Sequence, residues 1–141
     1  MFLSNGLFFH HNLQFSRTFT KKLNEQLAKV DLFHSQWMIL FYLKQYGSST
    51  MVEISNYLDV EKPTVTRTVN RLEERKFVER IRGNDKRERR IQLTDLGEET
   101  YLKAREAVEE FELHLMEGLP EDDRMAMLRT LTFLKEKLRH L

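Results

Sequence analysis

Apolar residues recur every three or four positions along most of the chain, and this spacing predicts a mostly helical protein. The stretch 7–30 predicts a helix with a wide apolar stripe. The stretch 35–46 predicts a buried helix with Ser35 as its candidate N-cap. A capping-box pattern at 50–53 predicts the start of a third helix, and a short turn then leads into a fourth helix over 62–76.

The pattern changes after the fourth helix. Residues 77–82 and 89–93 alternate between apolar and polar side chains, which predicts two strands. The run Gly83-Asn84-Asp85 predicts a turn, so the two strands form a β-hairpin.

The last two predicted helices, 95–117 and 121–140, carry apolar residues at alternating steps of three and four. This 3.5-residue period favours helices that lie lengthwise against one another. Long helices that extend from a small central unit have little local core to cover, so we expect a homodimer formed through the two ends of the chain. The alternative is that both stripes pack on the chain's own core.

The net charge of +1 conceals an uneven distribution along the chain. Residues 61–90 contain eleven Lys and Arg against six Asp and Glu, whereas residues 98–123 contain two against ten. A basic middle beside an acidic flank suggests that one lobe faces a polyanion. The order helix, helix, turn, helix, hairpin is that of a winged helix-turn-helix, so we expect the polyanion to be double-stranded DNA.

The predicted fold class is therefore mostly α with a small β-hairpin wing. We interpret residues 1–141 as a single domain with three parts. Residues 1–34 form an N-terminal dimerisation helix, residues 35–94 form the DNA-binding lobe, and residues 95–141 form C-terminal dimerisation helices.

Two groups of side chains are predicted to contact DNA. The face of the fourth helix opposite its apolar stripe supplies groups that bond base edges or phosphates, namely Lys62, Thr64, Thr66, Arg67, Asn70 and Arg71. The hairpin loop supplies Asp85, Lys86, Arg87, Arg89 and Arg90. We expect Arg87 to enter the flanking minor groove, with its guanidinium held in direction by Asp85, and the other loop cations to meet phosphates.

Other function classes find less support in the sequence. The chain has no cysteine, no phosphate-binding Gly-rich loop and no metal-protease His pair, so we expect neither an enzyme nor a cofactor. His114 follows Glu110 by four residues, a spacing that could face one metal ion, but we assign no metal site. Polar residues interrupt the apolar N-terminus, which argues against a signal peptide or membrane span, and the lack of cysteine fits the cytoplasm.

The run Asp85-Lys-Arg87 followed by Leu93-Thr94-Asp-Leu-Gly97 resembles the D-x-R…L-T-x-x-G signature of MarR-type transcriptional regulators. The block PTVTRTVNRLEERKFVER resembles their recognition helix and first wing strand, and the long flanking helices match the family's dimerisation region in order and length. The resemblance implies a homodimer on a pseudo-palindromic operator, usually a repressor and often released by a small ligand.

The sequence departs from that family's pattern at two positions. Lys76 stands where the family usually has Gly at the end of the recognition helix, so we expect a strained residue or a different helix end there. Glu61 stands where the usual cap is Ser or Thr, so we expect a weaker helix start.

The resemblance also implies a site for a small aromatic or phenolic effector between the dimer helices and the DNA-binding lobe. The candidate residues are His10, His11, Arg17 and Trp37, because a cation among apolar groups could hold a carboxylate-bearing ring. Trp37 is also explained as a core residue. The alternative function is a winged-helix protein-interaction module without DNA binding, for which charge reversal over 62–71 would leave DNA affinity unchanged.

Overall fold

The computed structural model describes residues 2–85 and 87–141 and contains the predicted order of elements. In chain order these are α1 (Phe2–Ala28), α2 (His34–Tyr46), α3 (Met51–Leu58), α4 (Lys62–Glu74), β1 (Val78–Arg82), β2 (Arg89–Leu93), α5 (Asp95–Met116) and α6 (Glu121–Arg139). The chain divides into two compact units, which meet in sequence between residues 111 and 112.

The core of the first unit forms where α2, α3 and α4 pack together. On α4, Val65, Val69 and Leu72 follow one face of the helix and are at most 1% exposed. Leu40 of α2 and Ile54 of α3 are fully buried in the same cluster. Because the apolar stripe of α4 is fixed against this core, its opposite face is held toward solvent.

The start of α2 differs from the expectation that Ser35 would cap it. The helix begins one residue earlier, at His34, and its first-turn amide is satisfied from another helix. Asn24 of α1 accepts the His34 N–H through Oδ1 at 2.8 Å. Asn24, ten residues earlier in the chain, thus takes the place that the Ser35 hydroxyl was expected to fill. The prediction of Ser35 was wrong because the local sequence pattern carries no information about this partner.

The hairpin is antiparallel, with Val78 opposite Leu93 at one end and Arg82 opposite Arg89 at the other. Ser49, just before α3, pairs with Ile91 through two main-chain hydrogen bonds of 3.0 and 2.8 Å. The base of the wing is thereby attached to the helix-turn-helix by backbone as well as by side chains.

The L-T-x-x-G run joins the wing to α5 and to the end of α4. The Thr94 hydroxyl donates to the Lys76 carbonyl at 2.6 Å and accepts the Gly97 N–H at 3.0 Å, so Thr94 is the N-cap of α5. A Cβ on Gly97 would lie 1.9 Å from the Phe77 carbonyl oxygen. Glycine is required there because the first turn of α5 passes directly against that carbonyl.

The second unit contains the end of α5 and all of α6. None of the residues of α6 is buried. Large apolar side chains along it are open to solvent, including Leu128, Phe133 and Leu138 at 61%, 65% and 67% exposure. The apolar side chains of α6 therefore remain uncovered within this chain, and exposed apolar surface of this kind is typical of an interaction surface.

Candidate nucleic-acid interface

The polar residues of α4 lie outside its buried stripe, as the sequence predicted. Lys62, Arg67, Asn70 and Arg71 are exposed, and the threonines at 64 and 66 are half-buried at the margins. The first helical turn contains Pro63 and no acid, and the exposed carboxylate of Glu61 directly precedes it at the N-cap position.

Local bonds within α4 determine which hydrogen-bonding groups stay available. Arg67 donates to the Thr64 hydroxyl at 3.2 Å, and the Thr66 hydroxyl donates to the Lys62 carbonyl at 2.9 Å. The proton of the Thr66 hydroxyl is therefore used within the helix. Thr66 can still offer lone pairs and its methyl group to an outside partner.

The two departures from the family pattern lie at the two ends of α4. Glu61 is the N-cap residue and its side chain makes no capping bond. Lys76 takes the left-handed conformation, with φ of 65°. The chain then turns into β1, and the N–H groups of Lys76 and Phe77 satisfy the last carbonyls of α4 at 2.9 Å.

The tip of the wing is organised differently from the prediction for Asp85 and Arg87. Asp85 Oδ1 accepts the main-chain N–H of Arg87 at 3.1 Å, and within residues 2–85 and 87–141 no ion pair joins it to the Arg87 guanidinium. Asp85 therefore stabilises the backbone of the turn and does not orient the Arg87 side chain. Arg87 is exposed, Arg89 is exposed at the start of β2, and Lys86 lies outside the described residues.

Arg90 is half-buried, and its guanidinium is held by partners within the protein. Its guanidinium donates to the Ser48 carbonyl at 2.6 Å and the Ser48 hydroxyl at 3.2 Å, and it pairs with Glu88. It also lies 3.4 Å from Glu53 Oε1. The predicted phosphate contact by Arg90 is disfavoured by this geometry, because the same cation ties the wing to the start of α3.

Glu53 contributes to the same junction. It completes the capping box with Thr50, accepting the Thr50 N–H at 3.1 Å, while the Thr50 hydroxyl accepts the Glu53 N–H at 3.1 Å. The bond from the Thr50 main chain lowers the pKa of Glu53 below its ordinary value, and the nearby Arg90 charge acts in the same direction. The carboxylate is therefore the favoured form in the folded protein.

One residue that the sequence reasoning missed adjoins α4. Arg80 of β1 donates to Asn70 Oδ1 at 2.6 Å and to Glu73 Oε1 at 3.2 Å. The strand pattern placed Arg80 on a polar face of the wing, but its partners depend on how the hairpin packs against the helix. Arg80 thus links the exposed face of α4 to the first strand of the wing, and its charge is paired with Glu73.

The four candidate effector residues are not brought together. Trp37 is 6% exposed and stacks on Tyr101 with the ring centroids 5.4 Å apart, so it belongs to the core. His10, His11 and Arg17 lie on the exposed surface of α1. The expectation that these residues would surround one ligand finds no support in this arrangement.

The part of the chain that the structure describes contains neither a cluster of metal-ligating side chains nor a membrane-spanning helix. No group of three or more His, Asp or Glu side chains is placed to hold an ion across residues 2–85 and 87–141. His114 lies near Glu117, with Nδ1 and Oε2 3.5 Å apart, rather than paired with Glu110. Among the same residues, each helix is too short or too polar to cross a bilayer.

Comparison with known proteins decides the family of this chain. Residues 32–89, which run from two residues before α2 to the first residue of β2, match the model of the MarR family. The chain is also 42% identical over 117 residues to the uncharacterized HTH-type transcriptional regulator YwoH of Bacillus subtilis strain 168, covering 83% of this chain and 85% of YwoH. The chain belongs to the MarR family.

Solved MarR-family structures have the same fold. A mutant MarR from E. coli in complex with operator DNA is 27% identical, with a TM-score of 0.76 over 94% of this chain and 91% of that one. MarR of Staphylococcus aureus in complex with salicylate and kanamycin is 24% identical, with a TM-score of 0.85 over 96% and 93%. These matches confirm the winged helix-turn-helix with long terminal helices.

Family membership also gives the general function. The protein is a DNA-binding transcriptional regulator of the MarR family and not an enzyme. The family identification therefore rules against the alternative of a winged-helix interaction module without DNA binding.

Proposed function

We propose that this MarR-family regulator acts as a homodimer that binds a pseudo-palindromic operator and represses transcription until a small ligand releases it. The observation that carries the proposal is the set of exposed cations on two adjoining elements, namely Lys62, Arg67 and Arg71 on α4 and Arg87 on the wing. Arg80 joins the two through its bond to Asn70. In this proposal α4 enters the major groove and Arg87 reaches the flanking minor groove.

The apolar residues at the two ends of the chain support the homodimer. Five large apolar side chains in the first half of α1 are exposed, namely Leu7, Phe8, Phe9, Leu13 and Phe15. The exposed leucines and Phe133 of α6 form a second such surface. A second copy of the chain carries the same two surfaces, so a symmetric pair covers both at once.

The dimer in turn supports a palindromic target. Two lobes related by twofold symmetry read two half-sites of opposite direction, separated by about one helical turn, roughly 10 base pairs. We therefore propose an operator of roughly 15–25 base pairs. A regulator with this target acts in the cytoplasm, where it meets the DNA, and repression follows when the operator overlaps a promoter.

Release by a small ligand is supported by a cavity beside α4 rather than by the residues that the sequence suggested. The cavity, of about 250 Å³, is mostly apolar and lies where α2, α3 and α4 meet. Met38, Leu58, Val60 and Val65 are among the residues that line it, and Thr68 adds a hydroxyl. A single aromatic ring fits a space of this size, and a relative with this fold binds salicylate.

The test is a selection of binding sites from a random-sequence duplex library at moderate ionic strength. The proposal predicts enrichment of an inverted repeat, and binding that falls steeply as salt rises, because several phosphates are neutralised. Enrichment of a single unrepeated site would contradict the paired readout. Addition of salicylate to the selected complex tests release, and unchanged affinity across millimolar concentrations would count against salicylate as the effector.

A further inference from the structure

The contact between Arg80 and Asn70 fixes the direction of an amide that faces solvent. Arg80 Nη2 donates to Asn70 Oδ1 at 2.6 Å, while Arg80 Nε bonds Glu73 Oε1 at 3.2 Å. Both helix residues lie on α4, and the arginine extends from β1. The guanidinium is held at two points by the same helix, so its position relative to the Asn70 amide is defined.

The hydrogen bond between Arg80 and Asn70 is compatible with only one orientation of the Asn70 amide. A guanidinium has N–H donors and no acceptor, so the atom that it meets on Asn70 must be the carbonyl oxygen. The Nδ2 amino group, with its two donor hydrogens, then forms the other branch of the amide. In this arrangement Asn70 offers donors more readily than acceptors.

We propose that Asn70 reads guanine, and that Arg80 is the positioning residue that sets this preference. Guanine presents two acceptors, N7 and O6, in the major groove, whereas the bidentate contact of Asn with adenine requires the amide oxygen to accept from N6–H. Here that oxygen already accepts from Arg80. The inference deepens the proposed function, since it requires α4 to lie in the major groove.

The second lone pair of Oδ1 does not restore the adenine contact. Amide oxygens have two lone pairs, but a positive charge at 2.6 Å withdraws electron density from the oxygen and repels a further N–H donor. The same charge attracts the electronegative edge of guanine. Freeing the amide for adenine would require Arg80 to leave a charge-assisted position that Glu73 also stabilises.

The experiment compares selections from a random-sequence duplex library with the wild type and with Arg80→Met. The wild type is expected to prefer guanine at one position in each half-site. In Arg80→Met the amide is released, and the ratio of guanine to adenine at that position is expected to fall by roughly tenfold. Asn70→Ala is expected to remove the preference at this position while the others remain.

Two further variants separate positioning from charge. Arg82→Met removes a cation from the same strand, at an exposed position, and is expected to weaken binding while guanine stays preferred. Arg80→Lys keeps the charge but loses the planar two-point geometry, so it is expected to shift toward adenine by less than Arg80→Met does.

The outcomes distinguish the inference from the function on which it rests. If the wild type selects an inverted repeat but Arg80→Met and Arg80→Lys retain its base preferences, Arg80 does not set those preferences and the inference is wrong. If Asn70→Ala leaves every position unchanged, Asn70 reads no base and the inference is equally wrong. If the wild type enriches no sequence, the proposed function itself fails.

Discussion

The DNA-binding lobe and the terminal helices show two outcomes of the same apolar periodicity. In the lobe, the stripe of α4 is buried against α2 and α3, and Val69 and Leu72 are completely covered. In α6 an equally regular stripe leaves Leu131 and Leu138 open. A helical stripe in a sequence therefore predicts that a face will be covered, but it does not say whether the cover comes from the same chain.

The two regions also differ in how their charges are used. In the lobe, Arg90 is held by Ser48 and Glu88. In α6, Arg139 pairs with Glu136 within the same exposed helix face. Exposed pairs of this kind contribute little to stability, so the folding of the helix end depends on covering its apolar residues.

The largest expected effect comes from placing charges on the open stripe of α6. The double change Leu131→Glu and Leu138→Glu is expected to dissociate the proposed dimer and weaken operator binding by roughly 100-fold or more, because paired binding is lost. Sedimentation and gel shift measure the two effects. Arg129→Glu, on the opposite face, is the control, and equal loss in both variants would show that charge rather than the apolar stripe is responsible.

A smaller effect is expected from the wing tip. Arg87→Ala is expected to weaken binding by about 1–2 kcal/mol at sites flanked by A·T pairs, because a narrow minor groove concentrates negative potential. Fluorescence anisotropy with A·T-flanked and G·C-flanked duplexes provides the measurement. Arg89→Ala serves as the matched charge control, and an equal loss on both flanks for Arg87→Ala would exclude the minor-groove role.

Arg90 tests whether the wing depends on its attachment to α3. Arg90→Met is expected to lower the free energy of unfolding by about 1–3 kcal/mol, since it removes charge-assisted bonds to Ser48 and Glu88. It is expected to weaken the same A·T-flanked sites as Arg87→Ala. Urea unfolding gives the stability and fluorescence anisotropy gives the binding. A variant with unchanged stability but uniformly weaker binding would contradict this role and indicate that Arg90 contacts a phosphate.

The smallest expected effect is a pH dependence that comes from Glu53. Because its pKa is lowered in the folded state, its stabilising contribution is complete above the ordinary value of 4.5 and is lost as the pH falls through the folded value. Glu53→Gln is expected to flatten this part of the stability profile. Urea unfolding at about pH 6 and about pH 4 measures the difference. Identical profiles for both proteins would refute the assignment to Glu53.

Much of the lobe could be predicted from the sequence because its signals are local. The spacing of Val65, Val69 and Leu72, the capping box at Thr50, and the alternation after Phe77 each depend on residues close together in the chain. Thr94 and Gly97 were recognised as a family signature, and their physical reason became clear only from the Lys76 and Phe77 carbonyls.

Long-range partners could not be predicted. Arg90 meets Ser48, which is 42 residues away, so an exposed phosphate contact was the natural expectation. Asn24 supplies the cap that Ser35 was expected to give, and Trp37 is covered by Tyr101 from α5. In each case a polar or aromatic residue has a partner that only the packing of separate parts of the chain brings near.

The mass of the protein, free and bound to its selected duplex, tests the central claim most directly. Light scattering or sedimentation at micromolar concentration should give twice the chain mass of 17.0 kDa, and a complex of two chains per duplex. A free chain of 17.0 kDa that binds its duplex one to one would contradict the account, because the open helices would then have no second copy to cover them.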